Sequence, residues 1–395
     1  MRALIVTKIF PNRVEPASSP FNLQQFRALS RLCELEILAT IPWFPGAGAL
    51  SRWSAAGRLV SVPKRDEIAG LRVRHPRFAF IPKLGHGVTG PLYAASLATT
   101  ALCYRGRVDV VLGCWAYPDG FAAVLLAEWL GVPAVIKLHG SDMNVVARLS
   151  GPRRRLQWAL RRVARVVAVS RPLAEAAAAL GAPRDRIDIV PNGVDREAFQ
   201  PRDRAEARRA LGLPLDVPLV LYVGHVTAQK GAVDLIEAFK LAAERLGGAE
   251  LVLVGDGDEL QACRLRARQV GLCAYFAGAQ PHERIPTWLA ACDVLCLPSW
   301  SEGMPNVVLE ALASGRAVVA SRVGAIPELL TGPPHALVPP RDPSALARAL
   351  ENTLATRYEP SEIASALDRP DWAGSARLLH ESLLAALTSR ASEAA

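Results

Sequence analysis

Ser299-Trp300-Ser301-Glu302-Gly303-Met304-Pro305-Asn306-Val307-Val308-Leu309-Glu310-Ala311-Leu312-Ala313-Ser314-Gly315 is the stretch on which the reading of this 395-residue chain turns. It follows Asp293-Val294-Leu295-Cys296-Leu297-Pro298, a short apolar run without polar alternation, which reads as a buried strand feeding a loop. Pro305 suits the first position of a helix, where its missing N–H costs nothing, and Gly315 suits the residue just past the end. A helix N-terminus aimed at the mouth of a strand follows. The free N–H groups of residues 303 to 307, Pro305 having none, then make an anion site, to which the dipole adds about 0.3–1 kcal/mol per charge.

Two carboxylates frame that site: Glu302 before the helix and Glu310 in its second turn. A carboxylate accepts hydrogen bonds and repels phosphate, so beside a phosphate-bearing ligand these two would take the hydroxyls of a sugar and a ribose. The plainer alternative leaves Glu302 facing solvent and makes Glu310 a capping residue.

Glu302 and Glu310, with seven residues between them inside Ser301-Glu302-Gly303-Met304-Pro305-Asn306-Val307-Val308-Leu309-Glu310-Ala311, resemble the signature of the family 4 retaining glycosyltransferases. The resemblance implies the GT-B fold: α/β, with two Rossmann-like doubly wound parallel-sheet domains facing across a cleft.

Length and composition agree with two compact domains of a soluble globular protein. The length exceeds that of one ordinary domain, hydrophobic residues are 51% and charged residues 21%. No apolar run is long enough to span a membrane, and Met1-Arg2-Ala3-Leu4-Ile5-Val6-Thr7 reads as a strand rather than a signal peptide. The expected location is the cytoplasm. Seven cysteines, at 33, 103, 114, 263, 273, 292 and 296, show no zinc spacing and read as reduced thiols. The formal charge is +13 over residues 1–200 and −4 over 201–395. A basic first half fits an acidic acceptor or peripheral contact with an anionic membrane at the inner face of the plasma membrane. Nucleic acid is not expected, because no recognisable module or aromatic-interleaved basic stripe is present.

Apolar strand-like runs alternate with amphipathic helical stretches throughout, the pattern of parallel sheets covered by helices. Strands are expected near 2–7, 34–40, 70–75, 109–113, 133–138, 165–169 and 187–190, then near 218–223, 249–254, 274–277, 293–297, 317–320 and 335–338. The stretches 41–66 and 76–92, rich in Pro, Gly, Trp and Phe, read as long surface loops for acceptor recognition. By resemblance, Val190-Pro191-Asn192-Gly193-Val194-Asp195 ends the first domain and the helix over 372–392 crosses back to pack on it. The domains are therefore drawn as 1–200 and 213–371, with the boundary near 200–216.

In the first half, Phe10-Pro11-Asn12 directly follows the first strand, at the carboxyl end where such sheets bind ligands. With Phe21-Asn22-Leu23-Gln24-Gln25 it resembles a branch of the family linked to cell-surface polysaccharides, namely the teichuronic-acid type. Trp115 and Tyr117, after the strand near 109–113, are placed to stack on a sugar or to pack beneath the loop. His139-Gly140-Ser141-Asp142 closes another strand. Its histidine reads as a structural residue or a partner for a sugar hydroxyl, Asp142 as a helix cap, and the family motif implies the sugar role for His139. Phe10, Pro11, Asn12, Trp115, Tyr117 and Asp142 make up the expected acceptor set. Arg153-Arg154-Arg155 through Arg165 reads as a basic amphipathic helix, either a solvated face or a lipid-facing one.

In the second half, Tyr222-Val223-Gly224-His225-Val226-Thr227-Ala228-Gln229-Lys230-Gly231 offers a close-approach glycine and a mobile cation for a diphosphate. The family pattern has arginine where this chain has His225, and a histidine cannot grip a phosphate bidentately as an arginine does. Gly255-Asp256-Gly257-Asp258 reads as a turn and cap rather than a metal motif, and Gly324-Ala325-Ile326-Pro327-Glu328 as architecture. By resemblance, Gly278 and Ala279 flank the base. The expected donor set is Gly224, His225, Lys230, Gly255, Gly278, Ala279, Glu302, Gly303, Met304, Pro305, Asn306 and Glu310. Glu302, His139 and Lys230 are the expected catalytic residues.

The resemblance implies transfer of a hexosyl group from a nucleoside diphosphate sugar to a saccharide or lipid-linked acceptor, with retention and without a metal or other cofactor. Two alternatives stay open: a sugar-nucleotide epimerase of the same fold, and a non-catalytic sugar-nucleotide-binding subunit.

Overall fold

The computed structural model describes residues 1–16, 18–50, 55–81, 86–144, 149–242 and 245–393. They form two units: Met1–Gly193 with Trp372–Ala395, and Val194–Asp371.

The first unit is built on strands β1 (Arg2–Thr7), β2 (Glu34–Ala39), β3 (Ile41–Trp43), β4 (Arg65–Ile68), β5 (Leu71–Arg74), β6 (Arg77–Ala79), β7 (Val110–Cys114), β8 (Ala134–Leu138), β9 (Arg165–Ala168) and β10 (Ile187–Ile189). Eight of them make one sheet in the order β10-β9-β8-β7-β1-β2-β5-β4, parallel except for the β4–β5 hairpin. Its central strands β7 and β8 are buried along their whole length, which is why their sequences are apolar runs rather than alternating ones.

The second unit carries β11 (Leu219–Val223), β12 (Glu250–Val254), β13 (Ala274–Gly278), β14 (Val294–Leu297), β15 (Ala317–Ser321) and β16 (Ala336–Val338), all parallel, in the order β13-β12-β11-β14-β15-β16. In each sheet the order reverses beside the first strand, between β1 and β7 and between β11 and β14. That reversal opens a crevice at the strands' carboxyl ends, and it is where ligands of such sheets bind.

The expected strands are all present, and three were not anticipated. The stretches 41–66 and 76–92 are not simply loops. β3 and β6 pair with each other as a separate two-stranded ribbon, β4 pairs with β5, and a helix runs over His86–Leu102. Pro42, Trp43 and Phe78 occupy the small ribbon, where an edge position tolerates proline. The parts of those stretches at 51–54 and 82–85 lie outside the described residues.

The chain passes to the second unit at Gly193, earlier than the linker expected near 200–216. The reason is local: the Val194 N–H donates to the Pro370 carbonyl, and the Arg196 guanidinium reaches the carbonyls of Leu367 and Arg369. The helix Trp372–Glu393 belongs to the first unit, with Ala376, Leu379, Leu383 and Ala386 in its core. A buried polar chain fixes it there. The Lys137 ammonium donates to Gln25, Gln25 donates to Ser375 Oγ at 2.8 Å, and Ser375 donates to the Pro191 carbonyl at 2.6 Å. All seven cysteines are free thiols.

Candidate functional site

In the second unit, the loops after β11 and β14 flank the sheet's reversal point, and glycines bring them together. A side chain at Gly255 would lie 1.9 Å from the Gly224 carbonyl, and one at Gly257 would lie 2.4 Å from that of Val226. At Gly231 (φ +67°) a Cβ would meet the Pro298 carbonyl at 2.2 Å, so the Lys230 turn sits directly on the end of β14. Gly324 (φ +54°) abuts the Glu302 carbonyl in the same way, while the Ala325 N–H donates to the Gly303 carbonyl at 2.9 Å. The Gly324 turn is thus the support of the Glu302 loop.

The helix after that loop runs over Asn306–Ala313. Pro305 stands one residue earlier than expected. With φ −76° and ψ +109° it is the cap rather than the first helical residue, so Asn306 opens the helix. Its extended ψ is the reason, since the chain is still turning out of the loop there. Gly315 lies just past the helix end at φ +69°, as expected.

Glu302 is buried and accepts a hydrogen bond from the Lys230 ammonium at 2.7 Å. The two residues assigned to sugar and diphosphate are therefore an ion pair, which a donor would have to exchange for its own contacts. Glu310 is not a capping residue: its Oε1 lies 3.0 Å from His282 Nε2. Hydrogen bonding to Glu310, opposed by burial, raises the His282 imidazole above its ordinary value. His282 was not singled out from the sequence. Its only signal was position, in the turn that follows Gly278 and Ala279 at the end of β13.

His225 is exposed, and its carbonyl accepts from the Tyr222 hydroxyl at 2.8 Å. Gly278 (φ +67°) accepts from the Gly255 N–H at 2.8 Å, which binds the ends of β12 and β13 together. Asp256 Oδ1 takes the Gly257 N–H and its carbonyl takes the Val226 N–H, the turn read from the sequence. Among the described residues no group of three or more His, Cys, Asp or Glu could hold a metal ion.

The first unit gives a different result for the expected acceptor set. Phe10 is a core residue stacked on Phe26 at 5.8 Å. Asn12 Oδ1 takes the N–H groups of Val14 and Glu15, each at 2.9 Å, and Pro11 is buried beside it. Tyr117 is 1% exposed and its hydroxyl accepts the Gly90 N–H at 2.8 Å. Asp142 is fully buried, with its oxygens on the N–H groups of Ala116, His139, Gly140 and Met143. Their polar groups are spent on the unit's own backbone, which corrects the placement of Tyr117 against a sugar and of Asp142 on an acceptor.

Trp115 and His139 remain. Their rings stack at 6.1 Å, the Lys8 ammonium lies 5.3 Å over the indole, and Phe21 tilts onto the imidazole at 5.1 Å. A sugar stacking on Trp115 would have to displace one of these neighbours. Trp115 Nε1 and His139 Nε2 are buried without a protein partner. Burial, reinforced by the Lys137 ammonium, holds the His139 imidazole well below its ordinary value, so it is neutral and able to meet a hydroxyl.

Comparison with known proteins places this geometry. Residues 217–356 match the family model for glycosyl transferases group 1, and residues 54–198 match that for glycosyltransferase family 4. The chain is 29% identical to TuaC of Bacillus subtilis, a glycosyltransferase named for teichuronic acid biosynthesis, over 92% of this chain and 90% of that one. It is 31% identical to the 2-deoxystreptamine N-acetyl-D-glucosaminyltransferase of Streptomyces fradiae, over 72% of this chain and 73% of that one. Among solved structures it resembles HepE of Anabaena in complex with UDP, with a TM-score of 0.72, 19% identity, and coverage of 97% of this chain and 100% of that one. The chain belongs to the family 4 glycosyltransferases, and its two parallel-sheet domains have the GT-B fold.

Proposed function

We propose that the protein transfers a hexosyl group from a nucleoside diphosphate sugar to a saccharide or lipid-linked acceptor, with retention at the anomeric carbon and without a metal. The observation that carries this reading is the Lys230–Glu302 pair, 2.7 Å apart at the head of the Asn306–Ala313 helix and beside the reversal point of its sheet. In the donor complex Lys230 turns to the diphosphate together with the N–H groups of Gly303, Met304, Asn306 and Val307. A charge-assisted hydrogen bond there is worth about 1.5–3 kcal/mol, and more as the leaving group gains charge. Glu302 then accepts from hydroxyls of the transferred sugar and Glu310 from the ribose. Gly224 and Gly255 keep the loops close enough for backbone approach, and Gly278 and Ala279 border the base.

His139 presents a neutral imidazole to a sugar hydroxyl. The acceptor proton passes to a donor phosphate oxygen on the face from which the diphosphate leaves, which gives retention without a carboxylate on the opposite face. The UDP complex of HepE makes a uridine nucleotide the first donor to try. The likeness to TuaC suggests a cell-envelope polysaccharide as acceptor. Arg153, Arg154, Arg161 and Arg162 are exposed on the helix Ser150–Arg162 and would face anionic lipid at the cytoplasmic surface. Among the described residues no helix is long and apolar enough to cross a membrane.

The test is to incubate the protein with UDP-, GDP- and ADP-sugars and a glycan-lipid extract, with and without EDTA, and read the product anomer by NMR. EDTA-resistant consumption of one donor with retained configuration is expected. Inversion, EDTA sensitivity or interconversion to an epimeric sugar nucleotide would contradict the reading.

A further inference from the structure

Glu310 belongs to the second turn of the Asn306–Ala313 helix, and its side chain is tied to another element. His282 Nε2 meets Oε1 at 3.0 Å, with side-chain exposures of 30% and 14%. His282 opens the short turn His282–Arg284 after β13, and it is itself seated. The Phe199 ring meets the imidazole edge-on at 5.6 Å and 63°. Phe199 is held in turn: its N–H donates to the Asp195 carbonyl at 2.8 Å, and Asp195 Oδ1 caps the N–H groups of Glu197 and Ala198 at 3.0 Å.

The charged groups acting on His282 are Glu310, Glu283 and Asp195, all carboxylates, and all favour the imidazolium. An imidazolium donates from both ring nitrogens and accepts from neither. Nε2 therefore holds one oxygen of Glu310 and leaves the other without that partner.

A glutamate has three rotatable bonds and loses that freedom when it binds a ligand, so a carboxylate ordered beforehand binds more tightly. We infer that His282 is the positioning residue of the donor site: it fixes Glu310 through Oε1 so that Oε2 is presented to the ribose hydroxyls of the nucleotide. This rests on the donor reading given above. It adds that ribose recognition depends on a side chain of another element, itself seated by the first segment of the second unit.

The test crosses a change in the protein with a change in the ligand. Calorimetric titration of wild-type protein with UDP, GDP and ADP identifies the nucleotide it binds best. That nucleotide and its 2′,3′-dideoxy form are then titrated into wild type, His282→Ala and His282→Gln. Removing the ribose hydroxyls should weaken binding to wild type by about tenfold or more, the worth of a charge-assisted hydrogen bond. In His282→Ala that penalty should shrink to about twofold, with the dideoxy form bound as well as by wild type. His282→Gln, which keeps an N–H near the position of Nε2, should recover most of it.

A second readout needs no variant. The ratio of the two affinities should fall as pH rises through the raised titration of His282, while phosphate ionisation, common to both ligands, cancels from it. Equal weakening of both ligands by His282→Ala would overturn the inference and make the contact merely structural, and so would an unchanged penalty. Wild-type protein that bound none of the three diphosphates would overturn the donor reading, and this inference with it.

Discussion

The carboxyl ends of the two sheets use polar residues in opposite ways. In the first unit Asp142, Asn12, Tyr117 and Asp119 bond to backbone N–H groups, and Gln25 and Lys137 bond to each other in the core. In the second unit the charged side chains of the site pair across elements, Lys230 with Glu302 and His282 with Glu310. A side chain bonded to backbone N–H groups sets the shape of a loop, and removing it leaves buried donors unsatisfied. A partly exposed ion pair is worth little on its own, on the order of 1 kcal/mol, and a ligand can replace it. Motif residues at strand ends thus divide into those that build the loop and those that can be lent to a substrate.

The sharpest way to break this comparison is to remove one carboxylate from each unit. Glu302→Ala should lower transfer by about a thousandfold, the scale of losing a group aimed at the reacting centre. Its denaturant midpoint should stay close to wild type, because Lys230 can turn to water. Asp142→Ala should do the reverse in kind, costing about 3–5 kcal/mol of unfolding free energy by stranding four N–H groups.

Gln25→Leu comes next. It leaves the fully buried Lys137 ammonium without its partner, and a cost of about 2–3 kcal/mol is expected in chemical unfolding. The Lys137 titration supplies the check. Burial lowers it to about 8, so the unfolded chain holds the proton at higher pH than the native one. Stability should therefore rise as pH increases above about 8, and Lys137→Met should abolish that rise.

A further pH dependence concerns Asp119. Burial raises its carboxyl to about 7, although the Lys8 N–H donates to it at 2.8 Å. The native chain then keeps a proton that the unfolded chain has lost, so stability should fall as pH rises from about 4 to about 7. The slope is bounded by about 1.4 kcal/mol per pH unit, and Asp119→Asn should flatten it in pH-dependent melts.

The sequence made the strands legible because a parallel sheet buried on both faces writes them as continuous apolar runs, as in Leu219–Val223 and Ala317–Ser321. β3, β4 and β6 were not legible, since three or four residues beside Pro42 and Pro76 carry no periodicity to read. In the site, Glu302, Glu310, Lys230 and the glycines stood out because their spacing along one loop or helix is itself the constraint. His282 did not, because its contact with Glu310 spans 28 residues and is made only when β13 and β14 take their places in the sheet. Tyr117 and Asp142 were overread as acceptor contacts for the same reason. Asp142 looks like a free carboxylate until the chain brings the Ala116 N–H to it, 26 residues away.

The most direct test of the claim that Lys230 and Glu302 exchange partners for the donor is the affinity of Glu302→Ala for the nucleoside diphosphate that wild-type protein binds best. Removing Glu302 frees the Lys230 ammonium, so the variant should bind the diphosphate as tightly as wild type or more tightly, while Lys230→Ala binds it about tenfold or more weakly. If Glu302→Ala lost affinity as Lys230→Ala does, the carboxylate would be holding the lysine in place for the phosphate, and the exchange would be wrong.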